Sequence, residues 1–231
     1  MPRTRHAAPG RSCGRAGPLD HRRDAPPAQG ARGGEGAALS RERPGSPRAR
    51  LFLALDLPEH ARAHILAWRE EALSGRSDLR PVAPEALHVT LVFLGYLPEK
   101  KIELAASLAF EPLRGMAAPL LAVQGVRGVP PRDARLFALD LADDSGRATS
   151  VQAAASDALA GARLYRPEKR PFWPHVTFAR VKRGERRVPP VPAEGLPGTP
   201  FEAGQVTLYR SHLSPRGARY EPLERINLAR R

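Results

Sequence analysis

The chain repeats itself. Leu51-Phe-Leu-Ala-Leu-Asp-Leu57 is echoed by Leu136-Phe-Ala-Leu-Asp-Leu141, and His88-Val-Thr-Leu91 by His175-Val-Thr-Phe178. Between the members of each pair runs a stretch of helical periodicity, with Ala61, Ile65, Trp68 and Ala72 on one face of the first and Ala148, Val151, Ala155 and Leu159 on one face of the second. The offsets nearly agree, at 37 residues from Leu51 to His88 and 39 from Leu136 to His175. A strand–helix–strand unit used twice predicts two similar lobes related by a pseudo-twofold, with the histidine strands as counterparts across a shared cleft.

Order is expected to begin abruptly at Arg50-Leu-Phe-Leu-Ala-Leu-Asp-Leu-Pro58, an apolar strand ended by proline. A helix follows from Pro58 to a stop at Gly75, then a buried strand over 87–95 closed by glycine. A second helix is predicted over 98–110 and strands near 119–127 and 134–141. C-terminal strands near 200–210 and 219–228 are joined by a turn at Ser214-Pro-Arg-Gly217. Residues 1–49 show neither helical nor strand periodicity and almost no large apolar side chain. They are read as a disordered basic Arg/Pro/Gly/Ala-rich extension, inert or the product of a misassigned start rather than an RNA-binding arm, preceding one folded domain at 50–231.

Charge is permissive and no more. Eleven Arg against two Asp and two Glu in residues 1–50 account for +7 of the formal +13, so the folded part is only moderately basic. Cys13 is the only cysteine, which rules out an intramolecular disulfide and Cys-based zinc sites. No apolar run approaches the roughly 20 residues of a membrane span, and the N-terminus lacks a secretory apolar core. A cytoplasmic monomer without membrane contact is the expectation.

Side chains alternate along a strand, so His88 and Thr90 share one face, as do His175 and Thr177, while Val89, Leu91, Val176 and Phe178 point to the core. Two imidazoles and two hydroxyls on one cleft suit phosphodiester cleavage, which needs a base, an acid and donors for phosphoryl oxygens. From composition alone, about 0.01 His-Val-Thr triplets are expected by chance; two occur, at matching places in a repeat. A metal site is disfavoured: neither motif is His-x-His, and no acidic residue lies within three positions after either histidine. His60 and His64 have the i, i+4 spacing of helical ligands, but Ala61 stands where a zinc protease carries its glutamate.

With these motifs the chain resembles the LigT-like branch of the two-histidine phosphoesterase superfamily, and within it the bacterial RNA 2′,3′-cyclic phosphodiesterases, historically also called 2′-5′ RNA ligases. The resemblance runs from about Arg50 to Leu228 and includes Leu87-His-Val-Thr-Leu-Val-Phe-Leu-Gly95, Arg170-Pro-Phe-Trp-Pro-His-Val-Thr-Phe-Ala-Arg180 and Tyr209-Arg-Ser-His-Leu-Ser-Pro-Arg-Gly-Ala-Arg-Tyr220. It implies an α+β fold of two antiparallel sheets flanked by helices with the site between them. It also implies hydrolysis of a terminal RNA 2′,3′-cyclic phosphate to a 2′-phosphate, without metal or nucleotide cofactor. By position His88 and His175 match the two histidines of the reaction, and Thr90 and Thr177 the phosphate-binding hydroxyls. Phe93, taken with the His88 face, matches an aromatic that packs on the terminal base, and Arg180 an arginine that holds phosphate. With the base near the first motif, His88 is the expected proton donor and His175 the proton acceptor. His212 has no derivable role. The alternatives are another phosphoester on the same site (ADP-ribose 1″,2″-cyclic phosphate or a 2′-5′-linked oligonucleotide), reverse ligation, or a non-catalytic RNA-binding protein.

Overall fold

The computed structural model describes residues 46–214 and 217–230. The elements run β1 (Arg48–Asp56), α1 (Glu59–Ala72), β2 (Leu79–Pro81), β3 (His88–Pro98), α2 (Ile102–Phe110), β4 (Leu120–Val129), β5 (Leu136–Ala142), α3 (Arg147–Gly161), β6 (His175–Val181), β7 (Phe201–Glu202), β8 (Gln205–Ser214) and β9 (Gly217–Asn227). The expectation for residues 1–45, and the middle of the predicted turn at Pro215 and Arg216, lie outside the described residues. β1 opens at Arg48, two residues before the expected boundary. The short strand β2 was not anticipated, since three residues carry no readable period.

The two expected antiparallel sheets are halves of one curled sheet, ordered β7-β4-β5-β6-β3-β1-β8-β9, with β2 added to β6. The halves meet at one register pair, Val89 of β3 against Val176 of β6. Where β6 runs on from that pair, β2 takes over its edge through Leu79, Arg80 and Pro81. Both valines belong to the His-Val-Thr motifs, so the repeat forms the seam and sets the histidines on either side of it.

Central strands of each half are apolar because both faces are covered or curled inward. Leu51, Phe52, Leu53, Ala54 and Leu55 of β1 are each at most 3 % exposed. The helices bury narrow faces: Ala61, Ile65 and Trp68 of α1, Ala105, Ala106 and Ala109 of α2, and Ala148, Val151, Ala155 and Leu159 of α3. The helices cross the seam. Trp68 of α1 meets Phe178 of β6 edge-on at 5.1 Å, and α3 contacts β3. Each half thus lends a helix to the other, which ties together lobes joined by a single strand pair.

Both histidine strands carry a bulge just past the motif. Between β1 and β3 the register steps from Ala54↔Thr90 to Leu53↔Val92, leaving Leu91 as an extra residue. Between β5 and β6 it steps from Ala138↔Thr177 to Phe137↔Ala179, leaving Phe178 extra. A one-residue bulge reverses the parity of all that follows. Leu91 and Val92 are both buried, as are Phe178 and Ala179, and the fifth residue after each histidine, Phe93 or Arg180, then returns to the cleft. Strict alternation would have put Phe93 on the core face with Leu91; its place beside His88 depends on the bulge. Gly95 does not close β3 as expected. It sits at φ 71° beside a second register shift, a left-handed conformation that favours glycine, and the strand continues to Pro98.

Candidate active site

All six expected site residues, His88, Thr90, Phe93, His175, Thr177 and Arg180, line one cavity of about 700 Å³. Arg50, Phe52, Arg80, Tyr220 and the β8–β9 hairpin at Leu213 and Ala218 complete its walls. His60 and His64 lie apart on the exposed face of α1, ring centroids 6.5 Å apart. Among the described residues no three His, Cys, Asp or Glu side chains gather as a group able to hold a metal ion. His212 is exposed on β8 and pairs with Glu221 at 2.8 Å.

Both imidazoles are held alike through Nδ1. His88 Nδ1 donates to the Ala86 carbonyl at 2.8 Å, and His175 Nδ1 to the Trp173 carbonyl at 2.7 Å. In each case the acceptor is the carbonyl two residues upstream. This fixes the tautomer, so Nε2 is the nitrogen left for proton transfer. His88 Nε2 lies 3.0 Å from Thr90 Oγ1, which donates to it when the ring is neutral.

Around this shared plan the two halves differ. His88 sits among aromatics: Phe52 at 4.9 Å, Tyr220 edge-on at 5.3 Å, and Tyr209 stacked behind Phe52 at 5.2 Å. Burial, partly offset by the Ala86 hydrogen bond and reinforced by the positive charges of His175 and Arg180, holds its pKa down at about 4. His175 is stacked on Trp173 at 4.0 Å with 13° between the planes, and Arg127 covers Trp173 at 4.8 Å. Burial lowers its pKa too, but the nearby Asp140 carboxylate works against that.

An aspartate stands opposite each histidine across its strand pair, Asp56 against His88 and Asp140 against His175. These are the aspartates of the two Leu-Asp-Leu echoes. Asp56 accepts from the Thr207 hydroxyl at 2.6 Å and the Tyr209 hydroxyl at 2.7 Å. Burial and Asp56 push the Tyr209 hydroxyl up to about 12, so it stays a neutral donor. Asp140 accepts from Trp173 Nε1 at 2.7 Å and from Arg127 at 3.0 Å. Each carboxylate therefore holds the aromatic wall of its histidine rather than the histidine itself.

The 2′-5′ RNA ligase superfamily model matches residues 57–214. The chain belongs to that superfamily. Among its superfamily relatives, the protein named RNA 2′,3′-cyclic phosphodiesterase of Thermus thermophilus is 34 % identical over 184 residues, covering 78 % of this chain and 90 % of the relative. The Escherichia coli protein of the same name is 31 % identical over 189 residues, covering 76 % and 94 %. The solved structure of TT0787 from Thermus thermophilus aligns with a TM-score of 0.66 at 29 % identity, over 77 % of this chain and 97 % of that one. Escherichia coli LigT complexed with 3′-AMP aligns at 0.61 and 26 % identity, over 79 % and 99 %. No helix among the described residues of this superfamily member is long and apolar enough to cross a membrane.

Sequence reasoning missed Arg50, Phe52, Arg127, Trp173, Tyr209, Tyr220 and both aspartates as parts of the site. The aspartates were the findable ones. A charged residue interrupting an apolar strand at the same place in both repeats needs a polar partner, and here that partner is each time a donor on the site's wall.

The depressed His88 pKa has a consequence for stability. Its folded value, about 4, lies below the ordinary 6.5, so between those pH values the unfolded chain binds a proton that the folded chain refuses. The contribution is full above pH 6.5 and is lost as pH falls toward 4, by about 2–3 kcal/mol after allowing for the ring's open side. His175 adds to it with the same sign. Urea unfolding of the wild type and His88→Gln at pH 7 and pH 4.5 checks this: the wild type should lose more stability on acidification. Equal losses would show that His88 is not held neutral.

Proposed function

We propose that this protein hydrolyses an RNA terminal 2′,3′-cyclic phosphate to a 2′-phosphate by metal-independent acid–base catalysis between His88 and His175. The observation that carries the reading is the matched pair of imidazoles, each fixed through Nδ1 to a carbonyl two residues upstream and each on a wall of the same cavity. The names of the Thermus and Escherichia relatives support the same substrate.

Opening the ring to a 2′-phosphate requires water to attack phosphorus opposite O3′, which leaves as an alkoxide needing a proton. Base and acid must therefore stand on opposite sides of phosphorus, as two histidines flanking a pseudo-twofold seam can. Thr90 and Thr177 donate to the non-bridging oxygens, and Arg180 offsets the charge that grows there. Phe93 packs on the terminal base. Its ring already lies under the Arg50 guanidinium at 4.4 Å, yet 40 % of its surface remains exposed. In this reading His88, nearer the base, protonates O3′ and His175 activates water. His88 then gains its proton as substrate arrives, because the anionic phosphate supplies a counter-charge against the burial and the neighbouring positive charges that hold its pKa down.

One observation favours the reverse order. Asp140 supports the protonated form of His175, whereas no carboxylate among the described residues does the same for His88. The pairing is the same in both; only the direction of proton flow differs.

The test is an RNA oligonucleotide ending in 2′,3′-cyclic phosphate, incubated with protein dialysed exhaustively against EDTA. The expected product is the 2′-phosphate isomer at an undiminished rate. A 3′-phosphate product, or activity lost in EDTA and restored by zinc or magnesium, would overturn the proposal.

A further inference from the structure

We propose that a second groove, sharing Phe93 with the first cavity, binds the nucleotide immediately 5′ of the cyclic phosphate, so that the protein prefers RNA 3′ ends to 2′,3′-cyclic mononucleotides. The inference rests on the phosphodiesterase reading above. The groove, of about 550 Å³, runs from Phe93 and Leu94 on β3 to the segment that leaves α3, where Arg163, Tyr165 and Arg166 line it. That volume falls within the range of about 300–1,000 Å³ typical of small-ligand clefts.

Three features identify the occupant. Phe93 lines both cavities, so the two adjoin at its ring, and the only chemical group necessarily attached to a terminal nucleotide of RNA is the next nucleotide. The segment Arg163–Arg170 carries Arg163, Arg166, Lys169 and Arg170 against the single acid Glu168, a surplus that suits a phosphodiester chain. Tyr165, half-buried against the core, lines the groove with Phe93 and adds a second aromatic on which a base can stack.

Arg163 adds an independent sign. It occupies the position just past α3 where the chain turns left-handed, at φ 57°. The backbone there forms the usual helix stop, with the Arg163 amide donating to Ala160 at 2.9 Å and the Leu164 amide to Leu159 at 2.9 Å. Glycine is the unstrained residue at such a stop, and an arginine there retains a conformational cost. A cation is favourable near a helix C-terminus, but that effect needs no left-handed residue, and it does not account for Arg166 three residues farther on. Both arginine side chains are exposed on the groove.

This strain makes the test clean. Arg163→Gly removes the guanidinium while relieving the backbone, so the Arg163→Gly/Arg166→Ala protein should melt no lower than wild type. Its kcat/KM on a trinucleotide ending in 2′,3′-cyclic phosphate should fall about tenfold, through KM and most strongly at low salt. Turnover of 2′,3′-cyclic AMP should stay unchanged. An unaltered trinucleotide KM, or equal losses on both substrates, would overturn the groove assignment. Anisotropy of a labelled trinucleotide bearing a 3′-terminal phosphate reads the groove without turnover. Weaker binding by the double variant supports the groove even if the wild type proves inactive, a result that would sink only the hydrolase reading. Equal binding by both proteins overturns the groove whatever the activity.

Discussion

Changing either His88 or His175 to alanine should lower kcat/KM on RNA ending in 2′,3′-cyclic phosphate by about 10²–10⁴-fold, the range for losing a general acid or base. The folded state should survive in each case, because both rings face the cavity. The pH dependence follows from the direction of the shifts. Both imidazoles are lowered from 6.5, so the bell in kcat/KM, which reports the free protein, should lie on the acid side of pH 6.5. The bell in kcat should move back upward, since bound phosphate favours both imidazolium forms. A substrate with a 3′-thio leaving group separates the two orders of proton flow. Rescue of His88→Ala alone assigns His88 as the acid, rescue of His175→Ala alone assigns the reverse, and near-wild-type turnover by either alanine variant on the natural substrate ends the acid–base model.

The second large effect belongs to Arg180. Arg180→Ala should lower kcat/KM by about 10²–10³-fold, mostly through kcat, because its charge acts on negative charge that grows in the transition state. Phe93→Ala, at the equivalent place in the other half, should instead raise KM by the ~1–3 kcal/mol of one stacked base and leave kcat nearly intact. Steady-state kinetics on the trinucleotide distinguish the two patterns. If Arg180→Ala changed only KM, the side chain would be a general phosphate anchor without a share in the chemical step.

How far the sequence could be read depended on the kind of signal. The helices were legible because faces such as Ala148, Val151, Ala155 and Leu159 repeat over several turns. The histidine strands were legible because His-Val-Thr occurs twice, and the two histidines and two threonines of those motifs do meet in one cavity. What alternation could not supply was the bulge: nothing in Thr-Leu-Val-Phe or Thr-Phe-Ala-Arg marks an extra residue, so the facing of Phe93 and Arg180 rested on resemblance. The aromatic walls were hidden for another reason. Tyr209 and Tyr220 come from the C-terminal hairpin, far along the chain from His88, and Trp173 from the loop leading into β6, where no period marks which way a side chain faces. The aspartates were visible as echoes but had no assignable partner until Thr207, Tyr209 and Arg127 were seen beside them.

The bulges bear on how a near-symmetric protein would serve the asymmetric substrate proposed for it. A ribose 2′,3′-cyclic phosphate has two ester oxygens that differ only by which ring carbon they join, and a pocket made of identical halves would treat them as interchangeable, yielding both isomers. Here the scaffold is duplicated down to the offset of each kink, while the slot that the kink exposes holds an aromatic ring in one half and a guanidinium in the other. If the protein acts as proposed, its choice between 2′- and 3′-phosphate has a compact origin: one position in a repeated architecture, which faces the cleft rather than the core, distinguishes the two ester oxygens.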